Sequence, residues 1–349
     1  MPSPPVNIPF VRTPDDRFQD LPDFPYEPKY IQYGNLRMAY IDERSSETAK
    51  TTNTQRETPT ETFLLLHGEP TWSFLYRKMI PIFLGGTNAA TRTAAGLPRP
   101  SPRRVICPDL LGFGRSDKPV HDEDYTFHFH RSSLLYFIHA LNLTNITLVV
   151  QDWGGLLGLT LPIADPDRFK RLIAMNTMLA TGEDPTPGFV AWRAWVNKNP
   201  DMSVGALLGR SCPQLSAAER RAYDAPFPSR EFKAGVRRFP NLVMVSDGGK
   251  EGLEISRASL EYFGRGGIFK TAEDVLVACG MKDPVLGPPV MGQFARIWGN
   301  GCIYAEIEEA GHFVQEWGEQ VANIATAVFD GVRIDSGHKI RRIAPGGRL

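Results

Sequence analysis

After about thirty Pro-rich, irregular residues, apolar and polar positions first alternate in two short runs, IQYGNLRMAYID at 31–42 and TFLLLHG at 62–68. From residue 105 the chain settles into a longer rhythm. Apolar strand candidates are VICPDL (105–110), ITLVVQD (146–152), LIAMNT (172–177), VLVACG (275–280) and IYAEIEEAG (303–311). Between or after them lie helical patterns at His130–Leu141, Gly155–Ala164 and Phe313–Phe329. Unbroken Val/Ile/Leu runs suit strands covered on both faces. Strand–helix alternation implies parallel pairing through right-handed crossovers. The rhythm breaks between 180 and 240, where Pro, Trp and amphipathic stretches occur without a strand. That segment reads as a helical insertion over the carboxyl ends of the strands, where open α/β sheets bind ligands. The expected fold class is therefore α/β, a mostly parallel central sheet flanked by helices. The core spans 1–183 and 237–349, with irregular termini at 1–27 and 331–349, and a helical cap spans 184–236. Two polar inserts, Arg44–Thr60 and Gly85–Arg104, read as surface loops.

Composition narrows the partners. Lys plus Arg and Asp plus Glu each total 39 in 349 residues, a formal charge of zero. A neutral chain has no global field to hold nucleic acid or an anionic membrane, so a small, neutral partner is expected; the expected state is a monomer. Cys107, Cys212, Cys279 and Cys302 are scattered without metal-ligand spacing and read as reduced, buried thiols. The opening MPSPPVNIPF lacks the basic and apolar regions of a signal peptide, and no stretch is apolar enough to span a bilayer. A cytoplasmic enzyme is the expectation. The final GRL only loosely matches a peroxisomal tripeptide, from which the glycine departs.

Candidate chemistry sits at the strand ends. Val150-Gln-Asp152-Trp-Gly-Gly155 joins a buried strand to a Gly-started helix, the setting of a nucleophile elbow. Gly154 and Gly155 allow strand and helix to approach closely, and the helix N-terminus favours a negative charge on Asp152. Taken alone, Asp152 could be an ordinary helix cap. His67-Gly-Glu-Pro70 follows an apolar strand; its loop could aim the Glu69 N–H at the nucleophile, forming an oxyanion hole with the Trp153 N–H. Alone it is a Gly–Pro turn. Gly311-His312-Phe313 follows the last strand, and Asp283 ends the one before it. The order Asp152, Asp283, His312 is nucleophile, acid, histidine, as in the α/β-hydrolase fold.

The resemblance these motifs carry is long. HGEPTWSFLYRKMIP (67–81), PDLLGFGRSDKPV (108–120), YTFHFHR (125–131), NITLVVQDWGG (145–155), ADPDRFKRLI (164–173), GMKD (280–283) and AGHFVQEWGEQV (310–321) are similar to the haloalkane dehalogenases, most of all the subfamily typified by the Xanthobacter enzyme. The resemblance covers roughly residues 28–330 and implies an α/β-hydrolase fold with a cap. It implies Asp152 as nucleophile, His312 as base and Asp283 as the acid orienting His312. Glu69 and Trp153 would supply oxyanion-hole amides. The indoles of Trp153 and a cap tryptophan would hold the halide. GFVAW (188–192) points to Trp192, with Trp195 the alternative three residues on. Leu156, Phe189, Phe227, Pro228, Val285 and Leu286 match pocket-wall positions; Leu156 replaces an aromatic residue of the type enzyme.

The implied reaction is hydrolytic removal of halide from a haloalkane through an ester on Asp152, with no cofactor and no metal. A carboxylate is ionised at neutral pH and needs no base to attack carbon. Indole N–H groups stabilise the leaving anion without transferring a proton. A small, apolar pocket is expected, because haloalkanes offer no hydrogen-bonding groups. Epoxide hydrolysis is the nearest alternative, but it needs cap acids, and 181–250 holds one tyrosine, Tyr223. Fluoroacetate-type chemistry would need a carboxylate clamp, for which Arg193 is the only evident candidate. A silent binding protein on the same scaffold is the third reading.

Overall fold

The computed structural model describes residues 7–45, 60–85, 101–332 and 337–346. Its strands are β1 (Phe10–Val11), β2 (Lys29–Tyr33), β3 (Leu36–Arg44), β4 (Glu61–Leu66), β5 (Arg103–Pro108), β6 (Lys118–Pro119), β7 (Ile146–Gln151), β8 (Phe169–Met175), β9 (Val275–Gly280), β10 (Cys302–Ile307) and β11 (Ile340–Ile343). Nine of them form one sheet in the order β11-β10-β9-β8-β7-β4-β5-β3-β2. The run from β10 to β5 is parallel. β2, β3 and β11 are antiparallel additions at the edges. Every residue of β4, β7 and β9 is buried; β9 is apolar throughout, and β4 and β7 bury Glu61, Thr62, Thr147 and Gln151 beside their apolar residues.

Strand order dictates where a site can form. From β4 the chain steps to β5 on one side, then returns to place β7 on the other. The crevice outside the carboxyl ends of β4 and β7 is thus the switch point of the sheet, where α/β proteins bind ligands. The segments that follow β4, β7, β8, β9 and β10 all emerge along this edge.

Between β8 and β9 the chain leaves the sheet. Helices Pro187–Lys198, Val204–Ser211, Ala217–Asp224, Ala234–Leu242 and Leu253–Gly264 follow in series, with no strand. Local sequence starts several of them. Thr186, Ser203 and Ser216 each accept the N–H three residues on, and Glu219 completes a capping box with Ser216. Arg77, fully buried on the core side, ties this layer down. Its guanidinium meets both Glu316 oxygens at 2.7 and 2.8 Å and Glu219 of the cap at 2.6 Å, while Tyr223 donates to Glu316. The N-terminal segment makes a second tie: Arg12 pairs with Asp117 at 2.6 Å, and the Thr13 hydroxyl donates to the Pro226 carbonyl.

Several elements differ from the sequence reading. The helix after the elbow runs only Trp153–Gly158, shorter than Gly155–Ala164. The last helix is Gly318–Phe329, preceded by a 3-10 turn at Val314–Trp317. The helix Ala234–Leu242 crosses the expected cap boundary at 236. The termini are not irregular throughout: β1 pairs with β6, and β11 extends the sheet beyond β10. Strand β5 begins at Arg103, inside the expected second insert. Most of both inserts, and the terminal GRL, lie outside the described residues. The four cysteines are free and buried. No helix among the described residues is long and apolar enough to cross a membrane.

Candidate active site

Asp152 follows β7 at φ 51° and ψ −126°, a backbone conformation that a side chain strains and that clusters at functional sites. Surrounding contacts over-determine it. The Asp152 N–H donates to the Asn176 carbonyl, and the Asp152 carbonyl accepts from the Thr177 hydroxyl at 2.8 Å and from Gly155 N–H at 2.9 Å. The two glycines are required by contact. A Cβ on Gly154 would lie 2.0 Å from the Leu66 carbonyl oxygen, and one on Gly155 would lie 1.9 Å from Thr177 Oγ1.

The loop after β4 is pinned from beneath by His67. Leu110 N–H donates to Nε2 of His67 at 2.9 Å, so Nδ1 carries the proton and donates to the Gly68 carbonyl at 2.9 Å. Burial lowers the His67 pKa and keeps the ring neutral. Thr71 adds its N–H and hydroxyl to the same carbonyl. So held, the loop aims Glu69 N–H at Oδ1 of Asp152, 2.9 Å away. The Glu69 side chain is buried with Oε1 unpartnered; burial, and then the Asp152 charge, push its carboxyl well above the usual range.

His312 comes from the loop after β10. Its Nε2 lies 3.6 Å from Oδ2 of Asp152 and its Nδ1 lies 2.8 Å from Oδ2 of Asp283. Asp283 is held in turn: Asn176 Nδ2 donates to Oδ2 and Val285 N–H to Oδ1, each at 2.8 Å. Burial alone would raise the Asp283 pKa. The His312 charge and these hydrogen bonds outweigh it and bring it to about 2. Burial likewise disfavours the His312 cation, but Asp283 and Asp152 outweigh it and lift the pKa to about 10 while both are anions. A fourth group touches the ring. Gln151, the residue before Asp152, places Nε2 at 3.0 Å from His312 Nε2 and 3.2 Å from the His312 carbonyl.

Asp152, Glu69, Trp153, Asp283 and His312 border one cavity of about 640 Å³. Leu156, Phe189, Trp192, Val285 and Leu286 line it as expected. Trp195 stacks on Trp192 at 5.6 Å but faces a second hollow, under the Arg210 guanidinium. Of the two cap indoles, Trp192 is the one that lines the cavity Asp152 borders. Phe227 and Pro228 do not line the cavity. Phe227 is buried against Phe113 and Pro228 is exposed; Pro240, Val243 and Val245 take the wall instead. Between residues 181 and 250 Phe-Pro occurs twice, at 227–228 and 239–240, and the second lies beside the site, with Phe239 4.6 Å from Trp153. The cavity is not small. It is mid-sized for a ligand pocket, and Thr181, Glu183, Asp184, Arg210, Ser211 and Lys282 add polar edges to its apolar wall. Arg193 is engaged by Asp247 at 2.7 Å, and Tyr223 is buried against Arg77 and Glu316, outside the cavity.

Gln151, Asn176 and His67 are site residues to which motif reading gave no role. The signal was a polar side chain in a segment otherwise fully apolar: a buried amide or imidazole must have partners.

Known proteins agree with this architecture. A family model described as the alpha/beta hydrolase fold matches residues 61–319. A haloalkane dehalogenase of Psychrobacter cryohalolentis is 38% identical over 324 residues, covering 90% of this chain and 96% of its own. One from Mycolicibacterium paratuberculosis is 37% identical over 88% and 93%. Among solved structures, the tetrameric haloalkane dehalogenase of Paraglaciecola agarilytica superposes with a TM-score of 0.78 at 43% identity, over 92% of this chain and 98% of that one. With its fold, site order and relatives in agreement, this chain belongs to the haloalkane dehalogenase family of α/β hydrolases.

Proposed function

We propose that the enzyme hydrolyses haloalkanes to alcohol, halide and a proton through an alkyl ester on Asp152. The observation that carries this reading is the environment of one carboxylate. Asp152 stands at a strained elbow beside the cavity, with Oδ1 on the Glu69 N–H and Oδ2 facing the His312 imidazole. Asp152 attacks the halogen-bearing carbon and expels halide toward the Trp153 and Trp192 indoles. Loss of the Asp152 charge removes part of what holds a proton on His312, so the imidazole becomes a usable base once the ester has formed. His312 takes a proton from water as the water oxygen bonds to the ester carbonyl carbon. The resulting oxyanion lies at the Glu69 and Trp153 amides. Collapse expels the alkoxide, which receives the proton from His312, and the second water proton leaves as Asp152 ionises. Asp283 orients the ring and stabilises its cation.

Epoxide hydrolysis fits less well, because the tyrosine that would protonate the epoxide is engaged by Glu316 away from the cavity. We take the cap to run from Asp184 through Leu242, beyond its expected end. The tetrameric relative argues against a monomer; we infer a multimer, which sedimentation would test.

Halide release from short terminal bromo- and chloroalkanes, run beside styrene oxide, tests the assignment. His312→Phe should release one equivalent of halide and accumulate the ester by mass spectrometry. Steady turnover by His312→Phe, or diol formation outpacing halide release, would overturn it.

A further inference from the structure

Resting on the role of His312 above, we infer that Gln151 is a positioning residue, whose side-chain amide donates to Nε2 of His312 and favours the neutral, Nδ1-protonated form of the base against the pull of the two aspartates. The geometry fixes the direction of the bond. The Gln151 nitrogen lies 3.0 Å from the ring Nε2 and 3.2 Å from the His312 carbonyl oxygen. Rotating the amide by half a turn would set its oxygen against that carbonyl, two acceptors facing each other. The carbonyl therefore keeps the NH₂ group at the ring. An NH₂ group at Nε2 needs a lone pair there, which only the tautomer protonated at Nδ1 supplies. That proton is the one given to Asp283 at 2.8 Å. At the far end, Gln151 Oε1 accepts from Gln315 Nε2 at 3.5 Å, and both glutamines are fully buried. The amide has no freedom to turn away.

The chemistry follows from which charges face the ring. Asp152 at the end of β7 and Asp283 after β9 stabilise the cation. Glu69, from the loop after β4, is the third ionisable group nearby; burial, and then the Asp152 charge, push its carboxyl well above the usual range. A cationic His312 would pair with Asp152 and blunt the nucleophile, and would have no lone pair for water. Hydrogen bonding to the neutral form of a base opposes its protonation. Gln151 is the group at the ring that works in this direction. Its place beside Asp152 fixes nucleophile and base from one stretch of backbone.

The test is the pH dependence of ester hydrolysis in single turnovers with 1-bromobutane, quenched and read by mass spectrometry. Gln151→Met keeps length and removes the donor. Its acid limb should move upward by about one pH unit, so that at the native midpoint the ester decays roughly fivefold more slowly than in the native enzyme. Gln151→Glu replaces the donor with an acceptor for the cation and should move the limb further. If the methionine variant does not fold, the isosteric glutamate variant alone carries the test. Native-like limbs, or losses equal at every pH, would show the role to be merely structural and overturn the inference. His312→Phe, run in parallel, separates the two readings: if it still accumulates ester, failure of the Gln151 inference leaves the assignment of the base intact.

Discussion

Replacing Arg77 by leucine removes the cation at the centre of the tie between cap and core. Glu316 then keeps its charge in a fully buried position, with Tyr223 donating to it and Lys78 3.0 Å away as the remaining cation. Breaking a buried pair from one side costs about 3–5 kcal/mol, chiefly because the other charge is stranded. Lys78 is a quarter exposed and compensates in part, which places the expected loss near the lower bound, about 3 kcal/mol. At about 2 °C per kcal/mol for large domains, the midpoint should fall by roughly 6 °C. Urea unfolding followed by tryptophan fluorescence measures this directly. A double variant, Arg77→Leu with Glu316→Leu, should recover at least half of the loss, since the fully buried carboxylate is gone and the ions that lose a partner, Glu219 and Lys78, both reach solvent. A single variant within about 1 kcal/mol of the native protein, or a double variant no better than the single, would refute the account.

Two further outcomes follow from the site. The Asp283 pKa lies near 2, below its unfolded value of about 3.9, so its stabilisation is complete above pH 4 and disappears as pH falls toward 2. It amounts to roughly 2–3 kcal/mol, and an Asp283→Asn variant should lack that component when unfolding free energy is measured across the interval. If Trp192 is the cap donor, bromide should quench tryptophan fluorescence saturably, Trp192→Phe should raise the bromide Kd about tenfold, and Trp195→Phe should change it less than twofold. The reverse ranking would transfer the role to Trp195.

Most of the architecture was legible because buried parallel strands leave continuous apolar runs, and the runs from Ile146 and Val275 became β7 and β9 almost residue for residue. Asp152, Asp283 and His312 were legible because each stands immediately past such a run, at the edge the topology shares. What failed depended on packing that a linear pattern does not encode. Phe227-Pro228 and Phe239-Pro240 look alike locally, and only the path of the cap decides which reaches Trp153. Cavity size depends on how far the helix Pro187–Lys198 stands from the sheet, not on the apolar character of its residues. β11 was missed because Ile340-Arg-Arg-Ile343 does not alternate, and four residues after a helix carry little signal until β10 is there to receive them. Gln151 looked like strand filler because its partners come from residues 312 and 315, far along the chain.

β11 also bears on how copies of this enzyme can meet. A sheet border is an open row of backbone donors and acceptors, which invites another chain to continue it. Here the border strand is four residues long and presents Arg341 and Arg342, both outward enough to engage Glu306 and Glu273. Pairing two such borders would have to accommodate these ion pairs along a strand of only four residues. At the other border, β2 begins with Lys29, held by Asp42 at 3.0 Å. Continuation of the sheet from one copy into another is therefore disfavoured at both described borders.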